Sequence, residues 1–468
     1  MGSVAKGLIE HYRCPESFVK LTLAEDLSEE AGFFAFGSGT TCYGRTAAGY
    51  RRPRREAGLY DVTQDVISST SGLCLPFDPT EAVDNLRLER YPGARDSRLR
   101  AAAREIYYLL RPALSQSIRR RIQRFQLRGS RGSQFPAWPV DRTVENIYEQ
   151  LLLLILSATG AERIPFIWFW PEGNRSAAIM THDVDSEAGR DLCRDLMDLD
   201  DLFQIKASFQ IVPERCYSVS ADFLAKFRNR GFEVGIQDLN HDGRLFSRRS
   251  EFLRRAALIN GYARAYGAKG FRAGVLYRRP EWYDVFEFSF DMSIPNVAHL
   301  DPQRGGCCTV MPYFIGDILE LPVTTTQDYM LFHLLGERTI DLWKTQIDLV
   351  TEKHGLINFI VHPDYAMSGE LKSIYQDLLI YLREVEATKK IWMALPSEVD
   401  QWWRERSKMQ LVLTNNEWRI TGEGAERAVV AYATKNAEGK LVYEMEPAPK
   451  QPRIGLDRLD EKSVSQHS

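Results

Sequence analysis

Between residues 175 and 400, apolar runs short enough to be strands alternate with longer stretches of helical spacing. The strand-like runs are 176–181 (SAAIMT), 205–212 (IKASFQIV), 232–237 (FEVGIQ), 270–275 (GFRAGV), 288–294 (FSFDMSI), 317–324 (DILELPVT), 356–361 (LINFIV) and 391–395 (IWMAL). Helices are predicted over 186–202, 219–230, 248–266, 339–354 and 369–386. Such alternation predicts an α/β fold with a mostly parallel sheet, and this number of strands in about 225 residues is the size of a (β/α) barrel, complete or distorted.

Polar residues interrupt the pattern at a repeated phase. His182, Asp183 and Asp185 follow the first run; Gln237, Asp238, Asn240 and His241 follow the third; Arg272 sits in the fourth; His362 and Asp364 follow the seventh. All fall at or near the carboxyl ends of strands, and in a barrel those ends converge on the rim where active sites are built.

The flanks read differently. Residues 1–90 mix short apolar runs with Gly and Ser clusters, which predicts turns and short strands. A proline-bounded segment then leads into a buried helix near Thr143. Residues 408–447 carry four short strand patterns separated by NN, GEG and KNAEG, as expected of a small antiparallel unit. The organisation expected is an N-terminal α+β accessory region over 1–170, a barrel over 171–405, a small β unit over 406–449 and a disordered tail over 450–468.

Composition narrows the class. With 44% apolar residues, 26% charged residues and a net charge of -3, the chain is neither wholly disordered nor a globally basic nucleic-acid binder, so no nucleic-acid partner is expected. Seven scattered cysteines without CxxC spacing favour a reducing compartment. The longest apolar run, 151–156, is far short of the roughly 20 residues of a membrane span. A cytoplasmic location is therefore expected. One local charge bias stands out, in which Leu114, Ile118, Ile122 and Phe125 form a stripe among Arg119, Arg120, Arg121, Arg124 and Arg128. That helix over 114–128 suits peripheral contact with an anionic membrane or packing on its own domain.

The rim residues suggest chemistry. Asp183 and Asp185, one residue apart, can divide their roles between a metal and a bound water, although the same pair also suits a helix cap or the metal clamp of a glycosyltransferase. His362 is suited to proton transfer and His241 to metal ligation or a structural role. Arg272, inside a strand of small and apolar residues, needs an anion partner, and one of the aspartates is the candidate. The adjacent Cys307 and Cys308 read as a structural turn.

Taken in order, T-H-D-V-D (181–185), E-V-G-I-Q-D-L-N-H (233–241), G-F-R (270–272) and F-I-V-H-P-D-Y (359–365) resemble the motifs of polysaccharide deacetylases with the NodB-homology domain, carbohydrate esterase family 4. The resemblance covers roughly 175–400. It implies a distorted (β/α) barrel and a hydrolase that uses a divalent metal, usually zinc, to remove N-acetyl or O-acyl groups from an amino-sugar glycan or its precursor. It implies Asp183 as general base, Arg272 as the residue that orients it, His362 as general acid, and Asp185 and His241 as metal ligands. The first histidine of the family's H-x-x-x-H is here Gln237, which stands in its place as a candidate metal ligand through its poorer amide oxygen. That departure keeps open an alternative, a degenerate deacetylase fold that binds glycan or a partner without turnover. Tyr277, Trp282 and Tyr365 lie near these motifs and are candidates for stacking on sugar rings, or for packing.

Overall fold

In the computed structural model, residues 3–47, 58–69, 72–93 and 135–446 are described. The expected basic helix at 114–128 and the tail at 450–468 lie outside the described residues. The N-terminal region builds two small sheets, with β1 (Leu21–Leu23), β4 (Ile67–Ser69) and β5 (Gly72–Leu75) in one and the hairpin of β2 (Gly32–Ala35) and β3 (Thr41–Gly44) as the other. A helix over Pro79–Arg87 follows, started by Asp78, whose Oδ1 accepts from the Thr80 backbone N–H at 2.9 Å. Its Ala82, Val83 and Leu86 are buried against the helix Thr143–Thr159, where Val144, Ile147, Leu151 and Ile155 recur at helical spacing. This core continues into β6 (Arg163–Ile167) and the amino-terminal side of the main sheet through Ala177, Ile179, Leu319 and Leu356.

The main sheet contains β7 (Ser176–Val184), β8 (Ala207–Ile211), β9 (Glu233–Gln237), β10 (Gly270–Arg272), β11 (Phe290–Asp291), β12 (Tyr313–Ile315), β13 (Ile318–Glu320), β14 (Leu356–Val361) and β15 (Ile391–Met393). Its order is β12-β13-β11-β10-β9-β8-β7-β14, with β15 paired to the first residues of β7. Every pairing is parallel except β12 with β13. The strands are buried on both faces, as parallel strands covered by crossover helices must be.

The sheet curls into an incomplete barrel whose ends meet through side chains. Thr324 Oγ1 donates to Leu356 O at 2.7 Å and accepts from Asn358 N at 2.9 Å, while Asn358 Nδ2 donates to Leu321 O at 3.0 Å. These bonds satisfy backbone groups of β14 that no neighbouring strand reaches.

Alternation along β7 sorts its polar residues. Thr181 and Asp183 point to the inside of the curl, and His182 points outward, its Nε2 3.0 Å from Asp200 Oδ2 on the helix Glu187–Leu202. Tyr375 OH donates to the other Asp200 oxygen at 2.7 Å, so this buried outer network is fully partnered.

The C-terminal strands divide between two sheets. β16 (Gln410–Thr414) pairs with β17 (Glu417–Thr421), whereas β18 (Val430–Lys435) lies between β19 (Leu441–Met445) and β6. The single antiparallel unit expected from the sequence is thus split, because the buried edge of β6 offers β18 a partner some 265 residues upstream, a pairing that local patterning does not encode. No helix among the described residues is long and apolar enough to cross a membrane.

Candidate active site

The carboxyl ends of β7, β9, β10 and β14 bring Asp183, Asp185, Gln237, His241, Arg272 and His362 to one rim. Arg272 and Gln237 are register partners on β10 and β9. Gln237 Nε2 donates to Asp183 Oδ2 at 3.1 Å, and Arg272 Nη1 lies 3.3 Å from Asp183 Oδ1. Arg272 is fully buried, and its Nη2 donates to Thr181 Oγ1 at 3.0 Å. Thr181 in turn donates to Phe359 O at 2.5 Å, so the guanidinium is fixed to the backbone of β14. The anion partner that a buried arginine requires is therefore Asp183.

Burial raises the Asp183 carboxyl above the ordinary carboxylate range, with Arg272 and His362 opposing the shift. Asp185 moves the other way. Burial acts to raise it, but His241 and His362 outweigh that effect and hold it well below the usual range. His241 Nε2 and His362 Nε2 lie 3.4 and 3.5 Å from the same Asp185 oxygen, Oδ2. Asp185 is free for this role because Ser186 caps the next helix, accepting from Gly189 N at 3.0 Å.

His362 precedes a single helical turn, Pro363–Ala366, and is oriented by Asp328. Its Nδ1 lies 2.6 Å from Asp328 Oδ1, and its backbone N–H donates to Asp328 Oδ2 at 2.7 Å. Burial alone would lower the imidazole, but Asp328 and Asp185 push it well above its ordinary value. Asp328 was not foreseen from the sequence. The available signal was its place in the polar stretch after the strand run 317–324, the same phase that marked the other rim residues.

Two more buried acids lie behind Arg272. Asp291 and Glu320 are register partners on β11 and β13, where Asp291 accepts from Ser293 Oγ at 2.5 Å and Glu320 from Ile294 N at 2.9 Å. Burial raises both carboxyls, and each also feels the other. Glu320 was available as a charge inside an apolar strand run, by the same reasoning that singled out Arg272.

The donor set for a divalent metal is incomplete in one respect. Among the described residues no three His, Cys, Asp or Glu side chains converge to hold an ion. Asp242, a possible substitute ligand, is held by Arg255 through bonds of 2.7 and 2.9 Å. However, Asp185 Oδ1 and Gln237 Oε1 are both buried without a hydrogen-bond partner. With the imidazole of His241, 3.4 Å from Asp185, these carboxylate and amide oxygens are the donors available here to a divalent cation, zinc or a harder ion. The loop between Gln237 and His241 places both Asp238 (φ 53) and His241 (φ 50) in the left-handed region. Gly274 permits this, since a Cβ there would come within 2.8 Å of Asp238 Oδ2 and 3.0 Å of His241 Cδ2.

The aromatic candidates separate. Tyr365 stands beside the site, its ring 5.2 Å from the His362 ring. Tyr277 and Trp282 lie in the satellite core behind the 243–247 loop, with Trp282 packed 5.4 Å from Phe252. Cys307 and Cys308 are buried free thiols that burial pushes up, which suits a structural turn.

No protein-family model matches the chain, and no curated protein matches it. Solved structures do align with about half of it. A protein described as a polysaccharide deacetylase from Mycobacterium smegmatis aligns at 16% identity and a TM-score of 0.42, over 54% of this chain and 98% of its own. Puue allantoinase aligns at 12% identity and 0.39, over 50% and 92%. A similarly described polysaccharide deacetylase from Pseudomonas aeruginosa PAO1 aligns at 12% identity and 0.38, over 50% and 93%.

Proposed function

We propose that this protein is a polysaccharide-deacetylase-like hydrolase that removes an acyl group, in the first instance N-acetyl, from an amino-sugar glycan or its precursor. The observation that carries this reading is the facing of a buried carboxylate and a buried histidine, each with its own fixed partner. Asp183 is held by Arg272 and Gln237; His362 is held by Asp328.

Asp183, raised by burial yet kept ionisable by Arg272, takes the proton of an attacking water. His362, whose imidazole is pushed above its ordinary value by Asp328 and Asp185, presents Nε2 to the departing amine and supplies the proton that amine needs. Asp185, His241 and Gln237 Oε1 are the residues that would hold a divalent cation, zinc or a harder ion. Such an ion polarises an amide carbonyl and acidifies water. Tyr365 closes one side of the site over His362.

One feature favours the alternative of binding without turnover. Gln237 donates its amide to Asp183, which ties up one oxygen of the proposed base. Metal content by plasma mass spectrometry, together with acetate release from N-acetylated sugars, separates the two readings. The hydrolase reading requires bound metal that His241→Ala loses, and acetate release that Asp183→Asn abolishes. Metal-free wild type that releases no acetate, yet binds glycan, would establish the degenerate reading. The cytoplasmic location proposed from the cysteines points to a soluble or lipid-linked sugar precursor, and export of the protein would overturn that part.

A further inference from the structure

His241 stands on a loop rather than on a regular element. β9 ends at Gln237, and the next helix, Arg249–Tyr266, begins only at Arg249. Between them Asp238 (φ 53), His241 (φ 50) and Gly243 (φ 70) are left-handed, and of the three only the glycine adopts that region without steric cost. A side chain carried by such a loop keeps its place only where the surrounding structure over-determines it.

Arg255 supplies that constraint. It lies on the helix Arg249–Tyr266, whose Phe252, Ala256, Ile259 and Ala263 pack with Ile236 and Phe271 of the main sheet. Its side chain is buried, and every guanidinium nitrogen donates. Nη1 donates to Asn240 Oδ1 at 3.1 Å and to Asp242 Oδ1 at 2.7 Å, while Nη2 donates to Asp242 Oδ2 at 2.9 Å. Nε donates to Glu251 Oε1 at 2.5 Å, one turn back on the same helix, and Glu251 is itself held by Arg254 at 2.8 and 3.1 Å. The helix thus sets the plane of the fork through Glu251, and the fork grips the residue on each side of His241. A planar, bidentate grip fixes direction as well as distance. The imidazole between the two gripped residues is 12% exposed, with Nε2 3.4 Å from Asp185 Oδ2.

We propose that Arg255 is the positioning residue for His241, fixing the imidazole opposite Asp185 by gripping Asn240 and Asp242 from the helix Arg249–Tyr266. The proposal rests on the hydrolase reading for the role of His241 as a metal ligand. Loss of the fork lowers the affinity of the site for a divalent cation although no donor atom is removed.

Two readouts on the full chain test this. The first is the ring carbon–proton NMR signal of His241 in metal-free protein, assigned by its disappearance in His241→Ala. The second is cobalt(II) affinity, measured in competition with a chelator. Arg255→Met combined with Asp242→Asn removes the pair without leaving an unpaired carboxylate beside His241. Arg255→Lys keeps the charge and loses the fork. In both, the His241 signal is expected to shift and broaden while those of the buried His182 and His299 stay in place, which a general loosening of the fold would not allow. Cobalt affinity is expected to fall about 10–100-fold, the usual scale for loss of a group that orients a metal ligand. A His241 signal that does not move, histidine signals that all move together, or an Arg255→Lys variant with wild-type cobalt affinity would each overturn the proposal. Wild type that binds no cobalt, with the His241 signal displaced in the variants, sinks the metal-dependent hydrolase reading and leaves Arg255 as the residue that positions His241. Cobalt binding and acetate release by wild type, with the His241 signal unmoved in the variants, keep the hydrolase and remove the role of Arg255.

Discussion

Asp328 and His362, 34 residues apart, are joined by two hydrogen bonds, one from the imidazole Nδ1 at 2.6 Å and one from the backbone N–H at 2.7 Å. The carboxylate thus fixes both the ring and the strand end that carries it. With Nδ1–H directed at Asp328, Nε2 is the atom left to face Asp185 and the site.

This relationship sets the pH profile. On the proposed mechanism His362 is the acid, so activity should be lost as pH rises through its raised pKa, and Asp183 is the base, so activity should be lost as pH falls through its own raised pKa. In Asp328→Asn the alkaline limb is expected to move to lower pH and kcat at pH 8 to fall by roughly 10²–10⁴. A kcat–pH series on wild type and variant checks it, and an unmoved alkaline limb would mean that His362 is not the acid.

Removing the cation opposite Asp183 leaves a buried carboxylate unpaired. Arg272→Met is expected to lower stability by about 3–5 kcal/mol, and pairing it with Asp183→Asn to recover part of that loss. Urea denaturation of the single and double variants measures the coupling. Additive losses would show that the 3.3 Å pair contributes nothing.

Gln237→His exchanges an amide oxygen for an imidazole, a stronger donor to zinc. Retention of metal against a chelator is expected to increase, although the amide bond to Asp183 is lost with the substitution. Competition with a chelator of known affinity reads the change directly. No gain would show that the side chain at 237 does not face the cation.

Away from the site, burial raises the Glu145 carboxyl to about 7, with Thr309 Oγ1 and Val310 N as its partners and Oε2 left without one. The folded pKa is above the unfolded one, so the folded state binds the extra proton. Its stabilisation is complete below the ordinary Glu range and is lost as pH rises towards and through 7. Glu145→Gln should remove this loss, on the order of 3 kcal/mol at about 1.4 kcal/mol per pKa unit. Melting temperatures at pH 5 and pH 8 test it: the wild-type deficit at pH 8 should shrink in the variant.

The alternation of apolar runs determined the parallel α/β core, because each buried strand and each amphipathic helix writes its own period into the chain. The rim residues were legible for a related reason. Asp183, Gln237, Arg272 and His362 each break an apolar run near its carboxyl end, where a core has no use for a polar group. Asp328 and Glu320 also stand out as polar residues in or just after a strand run, but what they, Thr181 and Asp291 do is set by partners the sequence does not pair: Thr181 meets Arg272 of β10, Asp328 meets His362 at the end of β14, and Asp291 meets Glu320 through the β11–β13 register. The same holds for β18, which pairs with its local neighbour β19 on one side and with the distant β6 on the other. The sequence by itself determined which groups are polar where burial is certain. Tertiary structure decided which of them face one another, because a partner's distance in space is set by sheet order and crossover geometry, neither of which has a period along the chain.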